Sequence, residues 1–198
     1  MKSVLQKNYL IGFLIFYVLH IGMLVLVNWQ NLDHIGYRGD SVFSSLSILD
    51  STLAPIIFAI KFLYVSVFIF GVFLLFNKSI SFEAALTSII LGNLFFYLPQ
   101  LLNFYLYTDN YSLLTYGELK NYNWASVLEL FPALSKENII VPYLKEINLF
   151  TLLFLLIVTL IIQMKDKKFG STFVLVLLGY FSSIYFATTF ITFLSLLR

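Results

Sequence analysis

Two ionisable side chains, His20 and Lys61, stand inside long apolar runs of this 198-residue chain. An ionisable group in hydrocarbon is costly, so each marks a functional hypothesis by default. Another apolar run carries Asn93, Tyr97, Gln100, Asn103 and Tyr107 at spacings of four, three, three and four. Those spacings put all five on one face of a helix. Lys61 lies eight residues from the end of its run, and His20 and Gln100 lie seven from theirs. If the runs cross a membrane, these ends share one side, and the three polar groups sit about 10–12 Å deep. Thr188 and Thr189 in the last run fall near the same level. The chemistry of such a layer is recognition, with Lys61 suited to an anionic or carbonyl-bearing ligand. The expected ligand set is His20, Lys61, Asn93, Tyr97, Gln100 and Asn103. Pro99 lacks an amide proton and so frees the carbonyl of Phe95, for which Lys61 or a threonine hydroxyl is the expected donor.

Two other roles compete for these residues. Polar side chains between membrane helices act as packing glue worth roughly 0.6–2 kcal/mol each. Lys61 can also snorkel toward the headgroups along its aliphatic stem. A proton relay would need a carboxylate at depth, and no Asp or Glu lies within any apolar run.

The remaining motifs exclude more than they offer. Cysteine is absent, which removes disulfides, thiol nucleophiles and thiolate metal sites. No G-x-S-x-G, phosphate-binding loop or H-E-x-x-H is present, so no nucleophile or metal is positioned in a known way. His20 and His34 are separated by the end of a run and lack a carboxylate cluster. Asp33, His34 and Asp40 form a spacing that polar loops produce by chance. No metal, cofactor or catalytic residue is therefore expected, and the chain is not expected to be an enzyme. The net charge of +2 comes from twelve cations, ten of them Lys, too thinly spread for a nucleic-acid footprint. Glu118, Glu129, Glu137 and Glu146 are expected to face solvent or headgroups.

The elements that must position the polar layer follow from composition. Hydrophobic residues make up 60% of the chain and charged residues 11%. The charged share is roughly half that of a soluble domain, and mean hydropathy is +0.92. Five stretches approach the roughly 20 apolar residues that a membrane helix needs: Tyr9–Val27, Leu53–Phe76, Ala84–Tyr107, Ile147–Met164 and Thr172–Leu197. The expected architecture is all-α, one integral membrane domain over 1–198, built as a bundle of five transmembrane helices. The first stretch is too long for a signal-peptide core and is followed by no small-residue cleavage site, so it reads as a retained anchor. Gly12, Gly22, Gly71, Gly92 and Gly179 are expected to allow close helix contact.

Connections set orientation. The N-terminus and the short connections around Lys78 and Lys165 hold six Lys against two acids, and the long connections and C-terminus hold five cations against eight acids. Positive residues in short loops stay in the cytoplasm, which puts the N-terminus inside and the C-terminus outside. Lys, Asn, Ile and Phe richness fits an AT-rich bacterial genome, hence a bacterial inner membrane. On the outer side, Ser41–Leu53 spaces Val42, Phe43, Leu46, Leu49 and Leu53 helically. Trp124–Leu134 does the same with Trp124, Val127, Leu128, Phe131 and Leu134, broken by Pro132. Both are expected to be amphipathic segments on the outer face, capping the bundle or sensing lipid.

Three segments carry a resemblance: Phe76-Asn77-Lys78-Ser79-Ile80-Ser81-Phe82-Glu83-Ala84-Ala85-Leu86, the Leu98-Pro99 step, and Asn148-Leu149-Phe150-Thr151. Over roughly Leu53 to Leu197 the chain resembles the YIP domain family, five-helix membrane proteins named for Rab-GTPase interactors and also found in bacteria. The family's usual turn glycines are Asn77 and Lys78 here. The resemblance implies the five-helix topology. It implies neither catalytic residues nor Rab binding, since the long cytoplasmic N-terminal region of the eukaryotic members is missing.

The function expected first is a non-enzymatic scaffold or accessory subunit of a membrane assembly. Its partners would be the lipid bilayer and another membrane protein or a second copy. The alternative is a small-molecule or lipid permease or carrier, with its polar site around Lys61.

Overall fold

The computed structural model describes residues 9–35, 41–108, 126–131, 133, 140–163 and 169–196. They form helices α1 (Tyr9–Ile35), α2 (Ser41–Leu75), α3 (Phe82–Leu94), α4 (Tyr97–Thr108), α5 (Val141–Glu146), α6 (Leu149–Gln163) and α7 (Phe169–Leu196), with a 3₁₀ turn at Val127–Leu130. Four helical segments are long and apolar enough to cross a membrane: Tyr9–Val27, Thr52–Leu75, Phe82–Tyr105 and Phe169–Leu194. The fourth expected stretch forms α6, an apolar helix of only 15 residues, shorter than the four segments long enough to cross. Leu10, Leu14, Ile57, Ile60, Leu160, Phe190 and Ile191 all point outward, an apolar exterior far beyond what a water-soluble monomer tolerates.

Helix ends are written locally. Asn77 has φ 53°, the left-handed conformation that closes a helix. The Lys78 amide donates to Phe73 O at 2.8 Å and the Asn77 amide to Leu74 O at 3.0 Å, which satisfies the last carbonyls of α2. Asparagine thus does a turn glycine's work. Four residues on, Ser81 is extended and its hydroxyl accepts the Ala84 amide at 3.2 Å, an N-cap for α3.

The third apolar stretch is two helices. Between α3 and α4 the chain tightens, with Phe95 N–H bonding Gly92 O and Phe96 N–H bonding Asn93 O, both at 3.1 Å. The Phe95 carbonyl accepts the Leu98 amide at 3.1 Å. Neither Lys61 nor a threonine is needed there, because a local 3₁₀ bond replaces the one Pro99 removes.

Helix α3 packs on α1, α2 and α6, and α7 packs on α2 and α6. The core between them includes Phe16, Phe62, Ile69, Ile89, Phe154, Leu155, Val158 and Val176. Phe16 stands edge-on to Phe58 and Phe62 at 4.8 and 4.9 Å. Hydroxyls in this dry interior bond backward along their own helices: Ser66 to Phe62 O at 2.6 Å and Thr159 to Leu155 O at 2.7 Å. Each is satisfied without a cross-helix partner.

Three of the five glycines sit at close approaches. A Cβ on Gly179 would lie 2.7 Å from Ile69 Cα, one on Gly92 2.8 Å from Val158, and one on Gly12 3.2 Å from Ile90. Gly22 and Gly71 have nothing within 4 Å, so the packing expectation does not hold for them.

The two expected amphipathic segments differ from their pattern. Ser41–Leu53 is continuous with the second span as one 35-residue helix containing Pro55, and the side chains of Val42, Phe43, Leu46 and Leu49 lie outside the described residues. Within Trp124–Leu134 only the four-residue 3₁₀ turn and its flanks are described, and Trp124 and Leu134 lie outside them. This turn and α5 pack together. Ser126 pairs with Asn148 as an isolated bridge, and Val127 N–H bonds Ile147 O at 2.9 Å. They form a cap at the start of α6. Asp33, His34, Asp40 and the Tyr107 side chain also lie outside the described residues.

Candidate functional site

The cap and helices α1, α2, α3, α4, α6 and α7 line a cavity of about 430 Å³. Its floor is apolar and aromatic, from Phe16, Phe62, Ile89 and Phe154. Its polar wall collects Lys61 and Tyr64 of α2, Asn93 of α3, Tyr97 and Gln100 of α4, Glu146 of α5, Thr151 of α6 and Ser183 of α7. Four of the six expected ligand residues therefore line one space: Lys61, Asn93, Tyr97 and Gln100. The helical stripe explains the last three, which are buried on one face of the broken helix.

The other two expected residues do not reach it. His20 is buried with its ring edge-on to Phe58 at 4.7 Å, so Phe58 stands between it and the cavity. Asn103 is 1% exposed and lies beyond the cavity wall, close to one turn past Gln100. Thr188 contributes no wall either. Its hydroxyl donates to Ile184 O at 2.9 Å and meets the Tyr143 hydroxyl at 3.1 Å. The layer on α7 comes instead from Tyr180 and Ser183.

Each wall residue is held by a local device. Asn93 donates to Ile89 O at 2.8 Å within α3, and the Tyr97 hydroxyl donates to Phe16 O at 3.0 Å, tying α4 to α1. The Tyr64 hydroxyl donates to Ser183 O at 2.8 Å, tying α2 to α7. Gln100 is 5% exposed, and its Oε1 accepts no hydrogen bond. A buried acceptor in this state forgoes roughly 1–3 kcal/mol, which a ligand donor would recover.

Glu146, expected to face solvent or headgroups, is half-buried and has a partner that sequence reasoning missed. It does not face solvent freely: the Tyr180 hydroxyl donates to its Oε2 at 2.8 Å. It also attracts Lys61 electrostatically. Its position is fixed by the corner between α5 and α6. Asn148 caps α6, its Oδ1 accepting the Thr151 amide at 2.8 Å while its Nδ2 donates to Lys145 O at 3.0 Å. The Tyr143–Thr188 contact pins α5 on α7 from the other side. A legible signal existed: Asn148-x-x-Thr151 marks a helix start, and it puts Glu146 at the membrane boundary rather than in an open loop. Tyr64 was equally legible, three residues from Lys61 on the same face.

The result is a chamber lined by two cations, Lys61 and Lys145, one carboxylate, several hydroxyls and amides, and an aromatic floor. Among the described residues no cluster of three His, Asp or Glu could hold a metal ion. Compared with known proteins, the chain matches no family model, and no curated protein or solved structure is similar to it.

Proposed function

We propose that this protein is a non-enzymatic integral membrane protein that binds a small molecule or lipid in the chamber around Lys61, as a carrier or permease does. The carrying observation is the gathering of Lys61, Glu146, Tyr180 and Gln100 around one cavity of about 430 Å³. That size falls in the range of ligand pockets, and its polar groups exceed what helix packing requires. Interrupted helices beside a midplane site recur in transporters, and α3–α4 is such a helix.

In this reading α6 is the fifth membrane crossing, and the membrane is a bacterial inner membrane. The N-terminus is cytoplasmic and the chamber opens toward the outer side. The resemblance to the YIP domain family belongs to the same reading, with Asn77 in the turn a departure from the family's glycine.

The test is extraction in mild detergent followed by native mass spectrometry of wild type and Lys61→Met. A bound small molecule or lipid that the variant loses, with helix content unchanged, supports the reading. Identical bound content in both overturns it.

A second reading, a scaffold or accessory subunit, is favoured by the outer end of α7. Tyr185, Phe186, Phe190, Ile191, Phe193 and Leu194 project from the bundle as an aromatic ridge, a surface another membrane protein could cover. A stable protein partner in the same extraction would support it.

A further inference from the structure

We propose that the chamber recognises a zwitterionic amphiphile: a ligand carrying an ammonium and an anionic group close together, with an apolar portion attached. This deepens the ligand-binding reading and rests on it.

Three features of the cavity carry the inference. The first is that both charge signs line the same space, Lys61 and Lys145 against Glu146. Lys61 projects from α2 and Glu146 from the α5–α6 corner, and the two attract one another. An anion-only ligand would meet Lys61 but would be repelled by Glu146. A cation-only ligand would meet the reverse. A ligand with both charges satisfies each wall and desolvates neither without compensation.

The second feature is Gln100. Gln100 lines the cavity, and its buried Oε1 accepts no hydrogen bond. A primary ammonium has three N–H donors. Tyr180 already donates to Glu146, so the carboxylate offers acceptor capacity and Gln100 offers more. A quaternary ammonium has no N–H to give, so the donor requirement selects a primary amine.

The third feature is the setting of Lys61 beside an apolar floor. Helices α2 and α7 touch at Ile69 and Gly179 and are tied again at Tyr64 and Ser183. Lys61 lies about one turn beyond that tie, and Ala187 of α7 shares its cavity wall. Lys61 is exposed although its cavity neighbours Phe62 and Val65 are buried, and beyond it Phe190 and Ile191 of α7 face outward. Lys61 therefore reaches both the cavity wall and the outward surface of α2. The aromatic floor of Phe16, Phe62 and Phe154 offers an apolar portion of the ligand a surface while the head remains at Lys61 and Glu146.

The same head chemistry exists in a phosphoethanolamine lipid and in a free zwitterion such as an apolar amino acid. The test uses the full chain in mild detergent, with thermal shift and native mass spectrometry as readouts. The probes are phosphatidylethanolamine, phosphatidylglycerol, phosphatidylcholine, soluble phosphoethanolamine and leucine. Phosphatidylethanolamine should be retained at least tenfold better than the other two lipids. Glu146→Gln and Gln100→Leu should each abolish that preference, and Lys61→Met should abolish retention. Glu146→Gln keeps an acceptor for Tyr180, so it preserves the fold if Lys61→Met does not. Stabilisation by soluble phosphoethanolamine or leucine also supports the proposal and assigns the source to a free zwitterion. Lys61-dependent retention of phosphatidylglycerol equal to that of phosphatidylethanolamine overturns the zwitterion inference and leaves the binding reading standing. Retention of no probe, with no dependence on Lys61, overturns both.

Discussion

Adding one methyl group at Gly179 should loosen the wall between α2 and α7. An alanine Cβ there would sit 2.7 Å from Ile69 Cα, 2.9 Å from its Cγ1 and 3.1 Å from its backbone nitrogen. Carbon atoms in contact prefer about 3.5–4.0 Å. The obstruction includes backbone, so no rotamer change relieves it, and the helices must part by about 1 Å. Overpacking of this kind costs about 1–3 kcal/mol. Alanine also returns up to about 1 kcal/mol of helix propensity, which obscures the cost in a single variant. Gly71→Ala removes the ambiguity. It earns the same propensity gain, yet nothing lies within 4 Å of its Cβ. The difference between the two variants is then the steric term alone, about 1–3 kcal/mol. At roughly 2–4 °C per kcal/mol for a chain of this size, Gly179→Ala should melt about 2–12 °C below Gly71→Ala. The assay is thermal unfolding in one mild detergent, followed by circular dichroism. A Gly179→Ala variant that melts with or above Gly71→Ala would refute the packing argument, and with it the close α2–α7 approach below the chamber.

Other outcomes follow from features of the helix ends and the chamber. Asn77→Gly should melt at or above wild type because it removes the Cβ that a left-handed φ disfavours, whereas Asn77→Ala keeps that Cβ, loses the short polar side chain that eases the conformation, and should melt below wild type. Asn148→Ala should cost about 1 kcal/mol for the lost cap of α6, and hydrogen exchange should accelerate at Val127 and Thr151 together. Tyr180→Phe should lower stability by about 1.5–3 kcal/mol, the usual worth of a hydrogen bond to a charged group. An unchanged melting temperature would mean that Glu146 is not held by that hydroxyl. Orientation is open to single-cysteine labelling, since the chain has none of its own. A Lys145→Cys variant should react with an impermeant maleimide in intact cells, and Lys78→Cys only after permeabilisation.

The helices were legible because apolar runs of this length have few other folds. Even the Schellman-type end at Asn77 and the cap at Ser81 sit where turn residues punctuate the sequence. The polar stripe was legible for a similar reason: helical period alone puts Asn93, Tyr97 and Gln100 on one side. Depth counting failed where side-chain direction mattered more than level. His20 shares the level of Gln100 but turns onto Phe58, and Thr188 shares it but spends its hydroxyl on α7 itself and on Tyr143. The partner of Glu146 was not legible because its environment is made by the α5–α6 corner and by Tyr180, which is 34 residues away. No periodicity within one segment reports a contact of that kind. The break between α3 and α4 was anticipated through Pro99, but the partner of the Phe95 carbonyl was not, because the nearest donor was the next turn of the chain.

The shortness of α6 bears on the bilayer itself. Its 15 residues span about 22 Å, and charges at Glu146 and Lys165 bound the apolar run on either side. The apolar segments of α2 and α7 hold 24 and 26 residues. A hydrocarbon layer of about 30 Å that suits those two is too thick for α6. In the five-crossing reading proposed above, lipids beside α6 would thin to meet it, at a cost of fractions of a kcal/mol per Å of mismatch. This dimple would lower the headgroup level toward Glu146, so its carboxylate would stay hydrated at a depth that is oily beside α7. The protein should accordingly partition into thinner membranes, and bilayer thickness becomes a variable that acts on the chamber's mouth.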